Sequence, residues 1–158
     1  MNKSIVMHFG LAGLWLLLTG GGLVSFMIGL GMAYVLLLLF RPVLGSEDYV
    51  RRVNAFFVFL AVFLREFVVS NVVIAKAVLF QASEDIHPNF ITYDVAGMKP
   101  WEIFLLSQCI TLTPGTTTVD LIEEGQTLIV HAFDADHPEE VRQSIDESLK
   151  QAILRFSR

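Results

Sequence analysis

Residues 4–40 read SIVMHFGLAGLWLLLTGGGLVSFMIGLGMAYVLLLLF, a stretch without a single Asp, Glu, Lys or Arg. As one helix it would be about 55 Å long at 1.5 Å per residue, well beyond a hydrocarbon core of roughly 30 Å. The chain has to turn, and Gly20-Gly21-Gly22, preceded by Thr19, is the place, because three glycines favour non-helical backbone and offer no side chain to bury. Two apolar helices remain, spanning about residues 4–19 and 23–40, each near or slightly under the usual spanning length, so the stretch reads as a membrane hairpin. Lys3 flanks one outer end and Arg41, Arg51 and Arg52 the other. The positive-inside rule then puts both ends in the cytoplasm and the glycine turn outside. A signal peptide is the competing reading for residues 1–19, but the apolar run continues past the length of an h-region and no small-x-small cleavage site ends it. Gly10, Ala12, Gly13, Gly29, Gly31 and Ala33 either let the helices approach closely or are ordinary residues of membrane helices.

The next apolar stretch, Val53–Phe80, is of another kind. Arg65-Glu66 interrupts its middle, and Asn54, Arg65 and Lys76 recur at intervals of eleven residues, almost three helical turns, so all three share one stripe. Beside that stripe lies a broad apolar surface that includes Phe56, Phe57, Leu60, Phe63, Leu64 and Phe67. A continuous helix over residues 49–80 is too long and too amphipathic for a simple span. The favoured reading is a slanted or interfacial amphipathic helix; the alternative is a third span with Arg65 and Glu66 buried against other helices. The first keeps the C-terminal half in the cytoplasm and the second exports it. For Arg65 and Glu66, anchoring or subunit contact is preferred over a role in ion transfer.

Composition supports this division. The 158 residues are 54% hydrophobic and 17% charged, with a mean hydropathy of +0.60, against roughly 25% charged in an average soluble domain. A wholly cytosolic globular protein is therefore not expected, and a disordered chain is excluded by the aromatic and β-branched content. Residues 1–80 carry six Lys or Arg against three acids, whereas residues 81–158 carry five against thirteen. An acidic chain has no basic footprint for nucleic acid. The expected domains are a membrane part over 1–80, a linker over 81–89 and a small cytoplasmic α/β part over 90–158.

The acidic half alternates short elements with polar breaks. Phe90–Val95 is β-prone, and Trp101–Thr111 has a helical apolar face behind Pro100. Thr116–Ile122 and Thr127–Phe133 form a hairpin around Glu123-Glu124-Gly125-Gln126. A helix from Asp136 to about Phe156 closes the chain, with Val141, Ile145, Leu149, Ala152 and Phe156 on one face. The order β-α-β-β-α is that of a small α+β domain with a split β-α-β arrangement.

Groups able to do chemistry are sparse. Cys109 is the only cysteine, so one chain has neither a disulfide nor a multi-cysteine metal site. His131, Asp134, Asp136 and His137 imitate a metal cluster, but a strand histidine followed by a helix start explains the same residues. Nothing in the spacing of Ser107, Cys109 and His131 supports a nucleophile and base, and no phosphate loop or nucleophile elbow is present. No enzyme, cofactor or metal is expected.

The most distinctive run is SQCITLTPGT at residues 107–116, followed by LIVHAFD at residues 128–134. Together with the N-terminal hairpin, the Arg65-Glu66 helix and the closing Ala152-Ile153-Leu154-Arg155 segment, it resembles the E-type subunit of the multisubunit monovalent cation/proton antiporters, the Mrp or Mnh family. The resemblance covers nearly the whole chain. It implies a small, multi-pass subunit of a bacterial inner-membrane complex that exchanges sodium or another monovalent cation for protons. The ion pathways would lie chiefly in larger subunits, and this one would support assembly. It implies other antiporter subunits and the lipid bilayer as partners, together with a cytoplasmic C-terminal domain, and it assigns no catalytic residue.

Physically, residues 111–116 look like a helix terminator. Pro114 lacks an amide donor, Gly115 permits left-handed dihedrals, and the hydroxyls of Thr111, Thr113 and Thr116 satisfy freed backbone groups. A purely structural turn is one reading and docking on a neighbouring subunit is the sharper one. The candidate contact residues are therefore Arg65, Glu66, Lys76, Thr111, Thr113, Pro114, Gly115 and Thr116. The rival to an accessory transporter subunit is a self-standing membrane-anchored adaptor whose small α/β domain recruits a soluble partner.

Overall fold

A computed structural model describes residues 2–82, 84, 86–122, 126–136 and 138–158. The chain is mostly helical with one small antiparallel sheet, and it divides into two compact units, Met1–Asn54 and Ala55–Arg158. Helix α4 contributes its first turns to one unit and the remainder to the other.

In the first unit, α1 (Asn2–Leu18) and α2 (Leu23–Leu39) pack on one another across the glycine turn. Gly20, Gly21 and Gly22 all have positive φ (79°, 93° and 103°), the backbone region in which L side chains are strained. Both helices are apolar around most of their circumference and leave large side chains such as Leu17, Leu18, Leu23 and Val24 exposed. That distribution suits a nonpolar surrounding. Of the small residues, Ala12, Gly29 and Ala33 are buried. A Cβ on Gly29 would lie 3.0 Å from the Ala12 carbonyl oxygen and from the Trp15 ring, whereas Gly10, Gly13 and Gly31 face open space. Only part of the small-residue set is used for close approach here.

A short helix the sequence pattern does not announce, α3 (Arg41–Leu44), follows; Pro42 sits in its first turn and Gly45, at φ 62°, ends it. Buried Ser46 donates its hydroxyl to the Leu37 carbonyl at 2.9 Å, and its own carbonyl accepts from Val50 N–H as α4 (Glu47–Phe80) begins. His8 joins three elements. Its Nε2 donates to the Leu30 carbonyl at 2.9 Å, and its Nδ1 is paired with the Tyr49 hydroxyl. Tyr34 donates to Asn54 Oδ1 at 2.6 Å.

The second unit holds the rest of α4, strand β1 (Asn89–Asp94), α5 (Pro100–Leu112), β2 (Thr116–Ile122), β3 (Thr127–Ala132), α6 (Pro138–Ile145) and α7 (Gln151–Ser157). Strand β3 lies between β1 and β2 and runs antiparallel to both. A β-α-β pair with a third strand inserted results. Alternation along β1 buries Ile91 and Tyr93, and along β3 it buries Leu128, Val130 and Ala132, all against the helices on one face of the sheet. Ile103, Leu106, Ile110, Leu149 and Ile153 complete that core, and Phe59 of α4 belongs to it, with Val62 and Phe63 packed alongside. The Phe156 ring lies 5.3 Å from Phe59 and 5.7 Å from Phe56, tying α4 to the end of α7.

Some boundaries differ from the sequence expectations. Strand β3 ends at Ala132 rather than Phe133, although Phe133 N–H still donates at 2.7 Å to the carbonyl of Gly115, the residue opposite it in the β2–β3 register. The closing helix is not uniform: α6 and α7 are joined by a π-helical turn, Asp146–Lys150, so its side-chain phase shifts midway. The expected turn residues Glu123, Glu124 and Gly125, the linker residues Ser83 and Asp85, and His137 lie outside the described residues.

Both cations near the π-turn close a sheet edge. In the β1–β3 register, Val95 N–H bonds to Gln126, which leaves Thr92 and Asp94 with carbonyls pointing away from β3. Arg142 Nε donates to Thr92 O at 2.7 Å and Lys150 Nζ to Asp94 O at 3.2 Å.

Candidate functional site

Helix α4 places its polar side chains unequally. Arg65 and Glu66 pair with each other, Nη1 to Oε1 at 2.8 Å, but the Arg65 side chain is 73% exposed and that of Glu66 only 18%. Ser70 donates back to the Glu66 carbonyl and Asn71 to that of Phe67, both at 2.7 Å, so these two satisfy themselves within the helix. Residues 66, 69, 70, 73, 74, 77, 80 and 81 fall at helical spacing and border one side of a cleft of about 840 Å³, with Lys76 next to that stripe.

The threonine-rich block forms the opposite end of this cleft. Helix α5 stops because Pro114 follows the C-cap Thr113 and Gly115 takes φ 96°. Freed carbonyls are taken up by hydroxyls: Thr113 Oγ1 and Thr116 Oγ1 each donate to Ile110 O at 2.8 Å. Thr111 Oγ1 accepts from Thr118 N–H at 3.2 Å, joining α5 to β2. Gly115 faces α4 so closely that a Cβ there would meet Ile74 Cδ1 at 2.9 Å. The block is therefore seated on α4 of its own chain, and its hydroxyls are engaged locally.

Two groups of residues distant in sequence thus meet. Glu66 and Lys76 of α4 share the cleft with Thr113, Pro114, Gly115 and Thr116; Arg65 and Thr111 do not line it. The third wall has no counterpart among the contact residues proposed from the sequence. It is the stripe Val141, Ile145 and Leu149, with Ser144, Ser148 and Glu140 beside it, and Asp134 comes from the end of β3. Its signal is present as helical periodicity in 138–150, but periodicity shows only that a face is apolar, not what it faces.

The imitation metal cluster is rearranged. His131 turns its ring to Phe90, with centroids 5.0 Å apart, and does not join the carboxylates. His87 takes that place: its Nδ1 lies 3.2 Å from Asp136 Oδ1, and ligand atoms of His87, Asp134 and Asp136 fall within 4.8 Å of one another. All three are exposed. Ala135 N–H, which donates to His87 O at 3.0 Å, brings them together across more than forty residues of chain, and no local motif records it. Exposed acidic neighbours of this kind are an ordinary surface feature and do not make a metal centre.

Cys109 is buried in the core, where burial pushes its thiol up to about 11 and keeps it protonated. Ser107 donates to the Phe104 carbonyl at 2.8 Å. Neither is arranged as a nucleophile. Glu102 is the deepest charge among the described residues of the second unit, with no exposed surface. Burial pushes its carboxyl up, but the Lys99 amide donating to Oε2 at 2.8 Å, the Ser157 hydroxyl and the charges of Arg158 and Lys99 outweigh it, holding the group below its usual range. This is a helix-start clamp. Tyr93 donates to Asp146, whose carboxyl is lowered by that bond against the opposing effect of burial, helped by Lys150 at 3.1 Å.

Comparison with known proteins accounts for an apolar helical part and a small sheet that, among the described residues, carry no catalytic constellation. The family profile MNHE, described as Na+/H+ ion antiporter subunit, matches residues 9–156. The E1 subunit of a Na(+)/H(+) antiporter of Staphylococcus saprophyticus is 31% identical over 154 residues, covering 97% of this chain and 96% of that protein. The corresponding Na(+)/H(+) antiporter protein of Bacillus subtilis, also an E-type subunit, is 30% identical and fully covered on both sides. Among solved structures, a chain of the Mrp complex from Dietzia sp. DQ12-45-1b superimposes with a TM-score of 0.50 at 27% identity, covering 63% of this chain and 93% of its own. A chain of the membrane-bound sulfane sulfur reductase, an archaeal respiratory membrane complex, shares the fold at a TM-score of 0.54 and 21% identity, over 96% of this chain and 99% of its own. The chain belongs to the E-type subunit family of Na+/H+ antiporters.

Proposed function

We propose that this chain is a non-catalytic accessory subunit of a multisubunit Na+/H+ antiporter, supporting assembly and stability of the complex while ion translocation proceeds in its partner subunits. The observation that carries this reading is the family match over residues 9–156. It agrees with a structure whose one cysteine is buried and whose buried Glu102 carboxylate clamps a helix start. Its partners are the other subunits of the complex.

In this reading α1 and α2 are membrane helices of 17 residues each, about 26 Å long. Lys3, Arg41, Arg51 and Arg52 favour cytoplasmic outer ends for the pair. Helix α4, with 34 residues, is long and apolar enough to cross a bilayer. An interfacial placement is supported by Phe59, Val62 and Phe63, which pack with the core that the sheet shares. A helix that gives one face to a water-facing domain leaves its other face for lipid, and that face carries Leu64, Val68 and Val72. The membrane part is then residues 1–80, the linker 81–89 and the cytoplasmic part 90–158. Arg65, Glu66, Lys76 and the block formed by Thr111, Thr113, Pro114, Gly115 and Thr116 are the proposed subunit-contact residues.

The test is deletion of the subunit with recovery of the remaining complex by gentle detergent extraction and native mass measurement. The expected result is a smaller or dissociated assembly and loss of sodium resistance at alkaline pH. A complete, active complex without this chain would overturn the reading, as would recovery of the wild-type chain only as a monomer or simple homodimer.

A further inference from the structure

We propose that the cleft between α4 and the α6–α7 helix holds one acyl chain of a zwitterionic, amine-bearing phospholipid. The inference rests on the reading that α4 lies along the bilayer, which places the cleft within reach of lipid, and it makes a bound lipid the mediator of the subunit contact proposed for Glu66, Lys76 and residues 113–116. Its walls are two helical stripes facing each other, Val73, Ile74 and Ala77 on α4 and Val141, Ile145 and Leu149 on the other side. The volume of about 840 Å³ falls in the range of roughly 300–1,000 Å³ typical of small-molecule sites. Gly115, seated against Ile74, sets the spacing at one end.

Charge selects the occupant. Lys76, Glu66, Asp134 and Glu140 border the same cleft, so its rim presents both signs. Glu66 keeps its pairing with Arg65, but a bare apolar helix from another subunit would desolvate Lys76, Asp134 and Glu140 without offering partners, a costly exchange. An anionic headgroup would satisfy Lys76 but confront three carboxylates. A headgroup with a phosphate and a primary ammonium matches both: the phosphate meets Lys76 and the ammonium a carboxylate, as charge-assisted hydrogen bonds. The acyl chain then covers Val73, which the isolated chain leaves exposed, and the partly buried Ile74 and Val141, over a floor formed by Ala77, Ile145 and Leu149.

The full-length chain in detergent micelles, titrated with phosphatidylethanolamine and followed by native mass measurement, tests this. Wild type should retain one lipid per chain. Ser144→Trp, which fills the cleft from an exposed position, should lose the adduct, whereas Gln108→Trp, outside the cleft, should keep it. Lys76→Gln should weaken binding roughly fivefold, the effect of one cation at a lipid surface, and it guards against Ser144→Trp acting through misfolding. Equal lipid retention in wild type and both cleft variants would overturn the proposal. So would phosphatidylglycerol binding as tightly as phosphatidylethanolamine, or a cross-link from position 144 to a neighbouring subunit in the assembled complex in place of lipid. Cysteine labelling along α4 reports separately on whether that helix lies along the bilayer, so a failed lipid site and a failed topology are told apart.

Discussion

The two units handle apolar surface in opposite ways. In Met1–Asn54 most large aliphatic side chains point outward, and the interior contact is made by Ala12, Gly29 and Ala33 with only Leu37 and Val50 as large aliphatic members, together with polar groups such as Ser4, His8 and Ser46. In Ala55–Arg158 the aliphatic side chains of β1, β3, α5 and α7 point inward onto one core. Hydrophobic burial from water therefore explains the second unit, while close backbone approach and hydrogen bonds of the His8 kind have to hold the first.

The sharpest way to break this contrast is truncation in each unit. Leu106→Ala, at a fully buried position, should destabilise the second unit by about 3–4 kcal/mol, read by chemical denaturation of the chain in detergent. Leu17→Ala, at a position 81% exposed, should leave unfolding unchanged within about 0.5 kcal/mol. An equal loss at both would show that the first unit has a conventional core.

Glycine replacement gives the next largest effect. Gly115→Ala adds a Cβ at φ 96° against Ile74 and should cost about 2–3 kcal/mol, while Gly31→Ala, facing open space in a helix, should be neutral or mildly stabilising. Thermal melts of both variants decide it.

Glu102→Gln should cost about 1–2 kcal/mol, since it removes a charged acceptor from the start of α5 without leaving a buried cation behind. Its pH dependence has a definite sign. A carboxyl held below its ordinary value of 4.5 stabilises the fold at higher pH, and that contribution is lost as pH falls through 4.5 and below. The acid limb of the wild-type melt should therefore flatten in Glu102→Gln. In the first unit, Tyr49→Phe removes one hydrogen bond to His8 and should cost about 1 kcal/mol. A loss comparable to Leu106→Ala would place more of that unit's stability in its polar contacts than the comparison allows.

The element order is legible because each segment has one clear period. The glycine triplet sets the first turn, the alternation in Ile91-Thr92-Tyr93 and Leu128-Ile129-Val130 marks strands, and Pro114-Gly115 ends α5. Short-range rules do not reach α3, whose four residues are too few for a period, or the π-turn, which adds a fraction of a turn that an apolar stripe at three or four residues hides. The candidate site is legible in its parts only. Lys76 and Pro114 are each conspicuous, but their shared cleft depends on Gly115 meeting Ile74 through space. His87 escapes sequence reasoning for the same reason, because a backbone bond to Ala135 gives it its carboxylate neighbours.

Arg142 and Lys150 bear on stoichiometry as well as on the edge they close. Open-ended growth of a sheet needs two free edges per molecule, one to give and one to receive. With the outward carbonyls of Thr92 and Asp94 on β1 already taken by two cations, a copy separated from its membrane partners adds a strand more readily beside β2 than beside β1. Overproduced chains that misassemble through this sheet should favour pairs over fibres, a built-in bias in what an orphaned subunit can become.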